Sequence, residues 1–465
     1  MKGFENITHV YFIGIGGIGM SALARLFNHH KLEVAGYDKT PSALTSRLQK
    51  EGIKVHYEDF GDSVSSLAGP VDQTLIVVTP AVPENHGELQ WFIKNNFRIW
   101  KRSRLLGHIC RQYSCLAVGG THGKTTVSTM AAVILNQTPS GCGAILGGIS
   151  KNFETNLIIP LSDEQWMVTE ADEFDRSFLQ LDPDIAVITS MDADHLDVYG
   201  KHEEFIASFK EFARKVRPGG KLLIKKPLMG FFPGNGQAGI YTYALSGNAD
   251  FTAESLRLDE NSRNYVFRLS TPEGLSPEIR MTYPGLLNVE NAVAAGAAAF
   301  LAGAGLNDIC NGLSIYSGVK RRFDILFRTD ETVYIDDYAH HPEELRAFIT
   351  SVRALYPGRH ITGIFQPHLY TRTRDFANEF AKSLDLLDTA VLIPVYPARE
   401  LPIPGIDSRM LLEKMSIESK YAISKEDVPQ FLKTHPSQVL LTMGAGDIEL
   451  LSGVIIQILK DEAED

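Results

Sequence analysis

Short apolar runs rich in β-branched residues recur along the chain: Val10 to Ile13, Leu75 to Thr79, Cys115 to Val118, Ile185 to Thr189, Ile361 to Phe365, Ala390 to Ile393 and Val439 to Thr442. Stretches with helical spacing separate them. Their apolarity is continuous rather than alternating, so they read as strands covered on both faces, which is the signature of parallel α/β sheets. A helix is expected from Met20 to Phe27 and another running to Leu135. The Ala/Gly-rich stretch Ala292 to Leu306 reads as one buried core helix, too short to cross a bilayer. Between residues 225 and 280 the chain becomes polar and turn-rich, with alternating segments such as Tyr265-Val266-Phe267-Arg268-Leu269, and antiparallel β structure is expected there.

At 465 residues the chain exceeds what one hydrophobic core supports, and changes of pattern near residues 113 and 318 divide it into 1–113, 114–318 and 319–465. Apolar residues make up 44% and charged residues 22%, the balance of a soluble globular protein. A formal net charge of -11 gives no general attraction to nucleic acid or an anionic membrane, so neither is expected as a partner. An anionic ligand must then be held by glycine loops, helix N-termini and individual arginines. Cys110, Cys115, Cys142 and Cys310 show neither a disulfide framework nor metal spacing, which fits a reducing, cytoplasmic setting. Lys2 ahead of an apolar run imitates a signal peptide, but Glu5 and the glycines from residue 14 onward interrupt that pattern. Both a monomer and a homodimer are compatible with this composition.

Two of the expected strands lead into glycine-rich loops. The first loop is Gly14-Ile15-Gly16-Gly17-Ile18-Gly19, followed by Met20 and Ser21. Glycines at that spacing let the backbone turn tightly and approach a pyrophosphate, whose charge is met by N–H groups at a helix N-terminus. Asp38 follows the next strand pattern, where a dinucleotide-binding fold carries a ribose-binding acid. Taken alone, the loop fits a dinucleotide or a UDP-sugar equally well, since both contain a pyrophosphate.

The second loop reads Gly120-Thr121-His122-Gly123-Lys124-Thr125-Thr126, with Val118 where the general P-loop pattern has its first glycine. The loop N–H groups can cradle phosphates, Lys124 is expected as an exposed loop lysine reaching the β- and γ-phosphates of ATP, and the Thr125 hydroxyl is placed to ligate Mg²⁺. Two acidic segments, Glu170-Ala171-Asp172-Glu173 and Asp192-Ala193-Asp194-His195-Leu196-Asp197, follow expected strands and should share the carboxyl-terminal sheet edge with that loop. Acids there would repel ATP unless Mg²⁺ intervened, and its preference for oxygen makes Glu170 and Thr125 sensible ligands.

The second loop resembles the P-loop of the Mur ligase family and its folylpolyglutamate synthetase relatives, and the first loop resembles the Mur ligases that join L-alanine to UDP-N-acetylmuramate. The resemblance runs through all three segments and is weakest between about 225 and 280. It implies a Rossmann-like N-terminal domain for the sugar nucleotide, a central P-loop ATPase-like domain with a parallel sheet, and a Rossmann-like α/β C-terminal domain for the amino acid. It further implies that His195 is the ligand of a second Mg²⁺, and it raises Lys210 as a weakly placed candidate for a carbamylated metal-supporting lysine. Gly285-Leu286-Leu287-Asn288-Val289-Glu290-Asn291 is similar to the family's G-x-H-N-x-x-N segment, with Leu287 in place of the histidine. Asn288 is expected to cap the following helix, and Asn291 to read the adenine edge.

In the third segment, Asp336-Asp337-Tyr338-Ala339-His340-His341-Pro342 could suggest zinc, yet the histidines have no partners at useful spacing. The segment resembles instead the family's substrate motif, with Gln366-Pro367-His368-Leu369-Tyr370-Thr371-Arg372-Thr373-Arg374-Asp375 as companion. The resemblance assigns Arg322 and Asp337 to the nucleotide side, and Tyr338, His340, Arg372 and Arg374 to the reacting carboxylate, phosphate and amino acid. Arginine forks suit carboxylate and phosphate bidentately. The late Gly444-Ala445-Gly446-Asp447 turn also matches the family. The implied reaction is ATP-dependent amide formation through an acyl phosphate. A nicotinamide-dependent oxidoreductase would explain the first loop but not the second. A non-catalytic nucleotide-regulated protein and the recycling ligase that attaches a preformed peptide are the other readings.

Overall fold

The computed structural model describes residues 3–192, 199, 202–234, 238–259, 262–398 and 400–464. Each of the seven apolar runs is a strand to within a residue at either end. The first sheet has the order Lys54–His56, Glu33–Tyr37, His9–Ile13, Thr74–Val78, Arg98–Lys101, all parallel. Along its central strand, Val10 and Phe12 enter one apolar cluster while Tyr11 and Ile13 enter another. Both faces are thus covered, which is why the run shows no alternation. The strand order reverses beside His9–Ile13, so the loop beginning at Gly14 opens into the crevice where such sheets bind ligands.

The second sheet runs Gly239–Tyr243, Lys221–Lys225, Ile185–Ile188, Ser114–Gly119, Trp166–Ala171, Cys142–Ser150, Thr155–Ile158. Its pairings are parallel except for the last, antiparallel one. The strands before the second glycine loop and before both acidic segments are adjacent and parallel, so all three loops leave the same edge. Antiparallel structure between 225 and 280 is present as Thr252–Leu258, Tyr265–Thr271, Gly274–Leu275 and Ile279–Met281. It does not extend to Gly239–Tyr243, which joins Lys221–Lys225 in parallel at the edge of the second sheet. At the sheet edge only its last two residues, Thr242 and Tyr243, are buried, so it lacks the continuous apolarity of the central strands.

The stretch read as one helix from Ala292 to Leu306 is two. The helix Leu286–Leu301 ends at Gly303, which takes φ 100°, and Leu306–Ile315 starts anew. A left-handed glycine just past the last turn is a common helix stop.

The last sheet has the order Asp324–Arg328, Val333–Asp337, Val439–Met443, Ile361–Phe365, Thr389–Leu392, Lys420–Ala422. It is parallel except for its first pair. The chain forms two compact units: Met1–Leu258 with Tyr265–Thr282 and Val289–Ser317, and Gly318–Asp465 with Asp259–Asn264 and Tyr283–Asn288. The first three sheets lie in the former and the last sheet in the latter. Among the described residues, no helix is long and apolar enough to cross a membrane.

Candidate active site

The first glycine loop is built as the spacing requires. Gly14 takes φ 88°, and the N–H groups of Gly14 and Ile15 donate to the Tyr37 carbonyl at 2.8 and 2.9 Å. Gly17 precedes the helix Ile18–His29. Asp38 accepts from the Gly16 N–H at 2.7 Å, so its carboxylate shapes the loop itself, a role that sequence spacing could not reveal. Met20 is buried in the core. The Ser21 hydroxyl, also buried, donates to the Ile18 carbonyl and meets Asn156 Nδ2. At these two positions a ligand would therefore meet backbone rather than side chains.

In the second loop Gly120 and Gly123 adopt φ 139° and 82°, conformations that only glycine takes freely. A Cβ on Gly120 would lie 2.1 Å from Thr189 Oγ1, and one on Gly123 2.9 Å from Asn291 Oδ1. The His122 N–H donates to Ser190 Oγ at 2.8 Å, and Thr121 Oγ1 donates to the Asp192 carbonyl at 3.1 Å. Gly123 precedes the helix Lys124–Leu135, whose first turn contains Thr125 and Thr126.

Lys124 is not the exposed loop lysine that the sequence suggested. Its side chain is 16% exposed and that of Glu173 only 1%, and the two are 2.9 Å apart. Lys124 Nζ also donates to the Gly120 carbonyl at 2.6 Å. Burial works against the ammonium, but Glu173 first, then Asp172 and Glu170, outweigh it and hold the Lys124 pKa above the ordinary lysine value. Burial pushes the Glu173 carboxyl up, and Lys124 opposes it. The Tyr199 hydroxyl donates to the Glu173 carbonyl at 2.6 Å and steadies this segment. Three acids in the four residues Glu170-Ala171-Asp172-Glu173 offer no signal in the sequence as to which one turns inward.

Glu170 accepts from the Gly147 N–H at 3.0 Å, and a Cβ on Gly147 would collide with that carboxylate. The Thr125 hydroxyl is engaged by no described partner, while its carbonyl receives Ser128 and Thr129. A carboxylate and an uncommitted hydroxyl beside a phosphate-type loop are hard oxygen donors that fit Mg²⁺. His195 lies outside the described residues. Lys210, on the helix His202–Arg214, lies 6.0 Å from the Phe231 ring centre.

Asn288 does not cap its helix. It sits inside Leu286–Leu301 and donates through Nδ2 to the Pro284 carbonyl at 2.6 Å, because the helix begins two residues earlier than its polar signal suggested. Leu287 is exposed. Asn291 is buried with its carbonyl oxygen toward Gly123.

In the second unit, Asp337 ends its strand buried and accepts from the N–H groups of Phe323 and Ala339 at 2.7 and 2.8 Å. Burial pushes its carboxyl up to about 6, against the pull of Arg322. His340 Nδ1 donates to the Tyr338 carbonyl at 3.0 Å. Burial lowers the His340 pKa to about 4, opposed by Glu344 and assisted by Arg372 and Arg322. At neutral pH this ring is uncharged and its Nε2 carries a lone pair. Arg322 lies 5.0 Å from the Tyr338 ring centre. Asp337, Tyr338, His340, Arg322 and Arg372 are thus gathered, whereas Arg374 is exposed and pairs with its neighbour Asp375 at 2.7 Å. Arg321, to which no role was assigned, donates to Asp336 Oδ2 at 3.1 Å and to the Gly444 carbonyl at 2.6 Å, tying the late glycine turn to the Asp336 strand.

The chain carries two glycine-rich loops, each running from a strand of a parallel sheet into a helix. Residues 9–114 match the model "Mur ligase family, catalytic domain", 118–299 the "Mur ligase middle domain", and 321–446 the "Mur ligase, glutamate ligase domain". The chain belongs to the Mur ligase family. This Mur ligase is 49% identical over 458 residues to the UDP-N-acetylmuramate–L-alanine ligase of Parabacteroides distasonis, with 98% of each chain covered. It is 46% identical to the enzyme of that name from Flavobacterium johnsoniae, covering 98% of this chain and 99% of that one. Among solved structures, it is similar to the UDP-N-acetylmuramate-alanine ligase of Thermotoga maritima, with a TM-score of 0.80 and 26% identity over 98% of this chain and 99% of that one. A murein peptide ligase from Psychrobacter arcticus, at 21% identity and a TM-score of 0.71 over 97% and 98% of the two chains, shares the fold.

Proposed function

We propose that this Mur ligase joins L-alanine to the lactyl carboxylate of UDP-N-acetylmuramate, converting ATP to ADP and phosphate and giving UDP-N-acetylmuramoyl-L-alanine for peptidoglycan synthesis in the cytoplasm. The observation that carries the reading is near full-length identity of 49% to a ligase of that name, with the phosphate loop and its acids at one sheet edge. Residues 1–113 are assigned to the sugar nucleotide, 114–318 to ATP and 319–465 to the amino acid.

A free carboxylate does not acylate an amine at neutral pH, because oxide is a poor leaving group. The lactyl carboxylate oxygen therefore attacks the γ-phosphorus, the bond to the β,γ-bridging oxygen breaks, and ADP leaves behind an acyl phosphate. The alanine amine adds to the acyl carbon, the carbon–oxygen bond to phosphate breaks, and the amine proton passes to solvent. The UDP diphosphate binds where the first glycine loop enters the helix Ile18–His29, at the N–H groups of its first turn, since those of Gly14, Ile15 and Gly16 are given to Tyr37 and Asp38. Lys124, released from Glu173, moves onto the β- and γ-phosphates, and Asn291 contacts adenine. Arg372 holds the carboxylate and phosphate, and neutral His340 offers its lone pair to the amine side. Glu170, Thr125 and His195 would hold two Mg²⁺ ions, which screen phosphate charge as it redistributes in transfer. A murein peptide ligase shares the fold, so the acceptor distinguishes the two reactions. In a coupled ADP-release assay with UDP-N-acetylmuramate, release with alanine above glycine and serine supports the proposal. Release with a tripeptide alone would assign the recycling reaction, and no release with any acceptor would remove the catalytic reading.

A further inference from the structure

Arg102 opens the helix Arg102–Cys110 directly after the last strand of the first sheet and touches both glycine-loop systems. Its guanidinium lies against the first turn of the helix Ile18–His29: a Cβ on Gly19 would come within 2.7 Å of Arg102 Nη1. The last glycine of the loop thus leaves the space of a side chain to that guanidinium. Its other terminal nitrogen, Nη2, donates to Asp172 Oδ2 at 2.9 Å. Asp172 lies between Glu170 and Glu173, and its charge helps hold Lys124 protonated. A short path of side chains therefore runs from the sugar-nucleotide loop through Arg102 and Asp172 to the phosphate lysine. Both ends lie in one compact unit. A second tie keeps that geometry fixed: Asn156 Nδ2 donates to the Ile18 carbonyl at 2.6 Å, and Arg25 Nη1 donates to Asn156 Oδ1 at 3.2 Å.

We infer that Arg102 is a positioning residue that couples occupancy of the first glycine loop to the arrangement of the Glu170–Glu173 segment, so that the sugar nucleotide and Mg²⁺-nucleotide bind cooperatively. A diphosphate arriving at the first loop places negative charge beside the guanidinium and fixes its fork, and the fork sets Asp172 and with it the acids on either side. Arginine suits this because its planar fork holds its donors in fixed directions on two separate nitrogens, whereas a lysine offers one rotating ammonium. This rests on the ligase reading.

The test is calorimetric, on the full chain without alanine. UDP-N-acetylmuramate is titrated with and without Mg²⁺ and a non-hydrolysable ATP analogue. The wild type should bind the sugar nucleotide about tenfold more tightly when the nucleotide is present, with the same factor in the reverse order of addition. Arg102→Ala and Asp172→Asn should each bring that factor below about twofold, Arg102→Lys should restore only part of it, and the double variant should lose no more than either single one. Thermal melts identify any variant that fails to fold, and Asp172→Asn keeps the shape of the side chain. A wild type without coupling, or coupling that survives both single substitutions, overturns the inference while leaving the ligase reading intact. A wild type that binds no UDP-N-acetylmuramate at all fails the ligase reading instead.

Discussion

Replacing Lys124 by methionine removes more than the phosphate contact proposed for it. Glu173 is 1% exposed, and its cation partner is the ammonium 2.9 Å away. Breaking a buried pair by deleting one partner costs about 3 kcal/mol, because the remaining charge must be buried alone or neutralised by a proton. For a compact unit of roughly 300 residues, that corresponds to a fall of about 5 °C in melting temperature. The pH sign follows from the direction of the shift. Burial already raises the Glu173 carboxyl, and losing Lys124 raises it further, so the folded state binds the proton more tightly than the unfolded chain. The penalty is therefore full at neutral pH and shrinks as pH falls toward the ordinary glutamate value. Lys124→Met/Glu173→Gln should recover most of the stability and none of the activity. Calorimetric melts at pH 7.5 and 5.5, with ADP release assayed in parallel, check both halves. A single variant that melts like the wild type at pH 7.5, or that turns over normally at saturating ATP, would refute the reasoning.

Gly123→Ala should weaken nucleotide binding by at least tenfold and cost about 1–2 kcal/mol, because an alanine at φ 82° is strained and its methyl meets Asn291; a fluorescent ATP analogue and a melt would show it. Asp38→Ala frees the Gly16 N–H from its acceptor and should raise the KM for UDP-N-acetylmuramate about tenfold with little change in the KM for ATP. His340 should stay neutral from pH 7 down to about 4, so its ring resonances will not titrate near 6.5. Arg372→Ala removes a neighbouring positive charge and should move that midpoint upward; an unshifted midpoint would separate Arg372 from His340.

The strands were readable from sequence because each is covered on both faces: Val10, Phe12, Tyr11 and Ile13 must all be apolar if helices lie above and below. Both phosphate-type loops were equally readable, since Gly14, Gly120 and Gly123 take positive φ angles that other residues rarely adopt. Local backbone demands of this kind leave their mark on the residue that meets them. Partnership between distant residues leaves none. Which carboxylate in Glu170-Ala171-Asp172-Glu173 turns inward to Lys124, and which meets Arg102, depends on where neighbouring strands end, and both pairs span more than 45 positions. The same holds for Asp38, legible as an acid after a strand yet engaged by Gly16 only once two strands lie side by side. Sequence alone determined the α/β architecture and the two phosphate loops, because each is specified within a few consecutive residues. Tertiary structure decided the burial of Lys124, the shifted pKa of His340 and the bridge through Arg102, because desolvation and charge pairing depend on what the folded chain brings within a few ångströms.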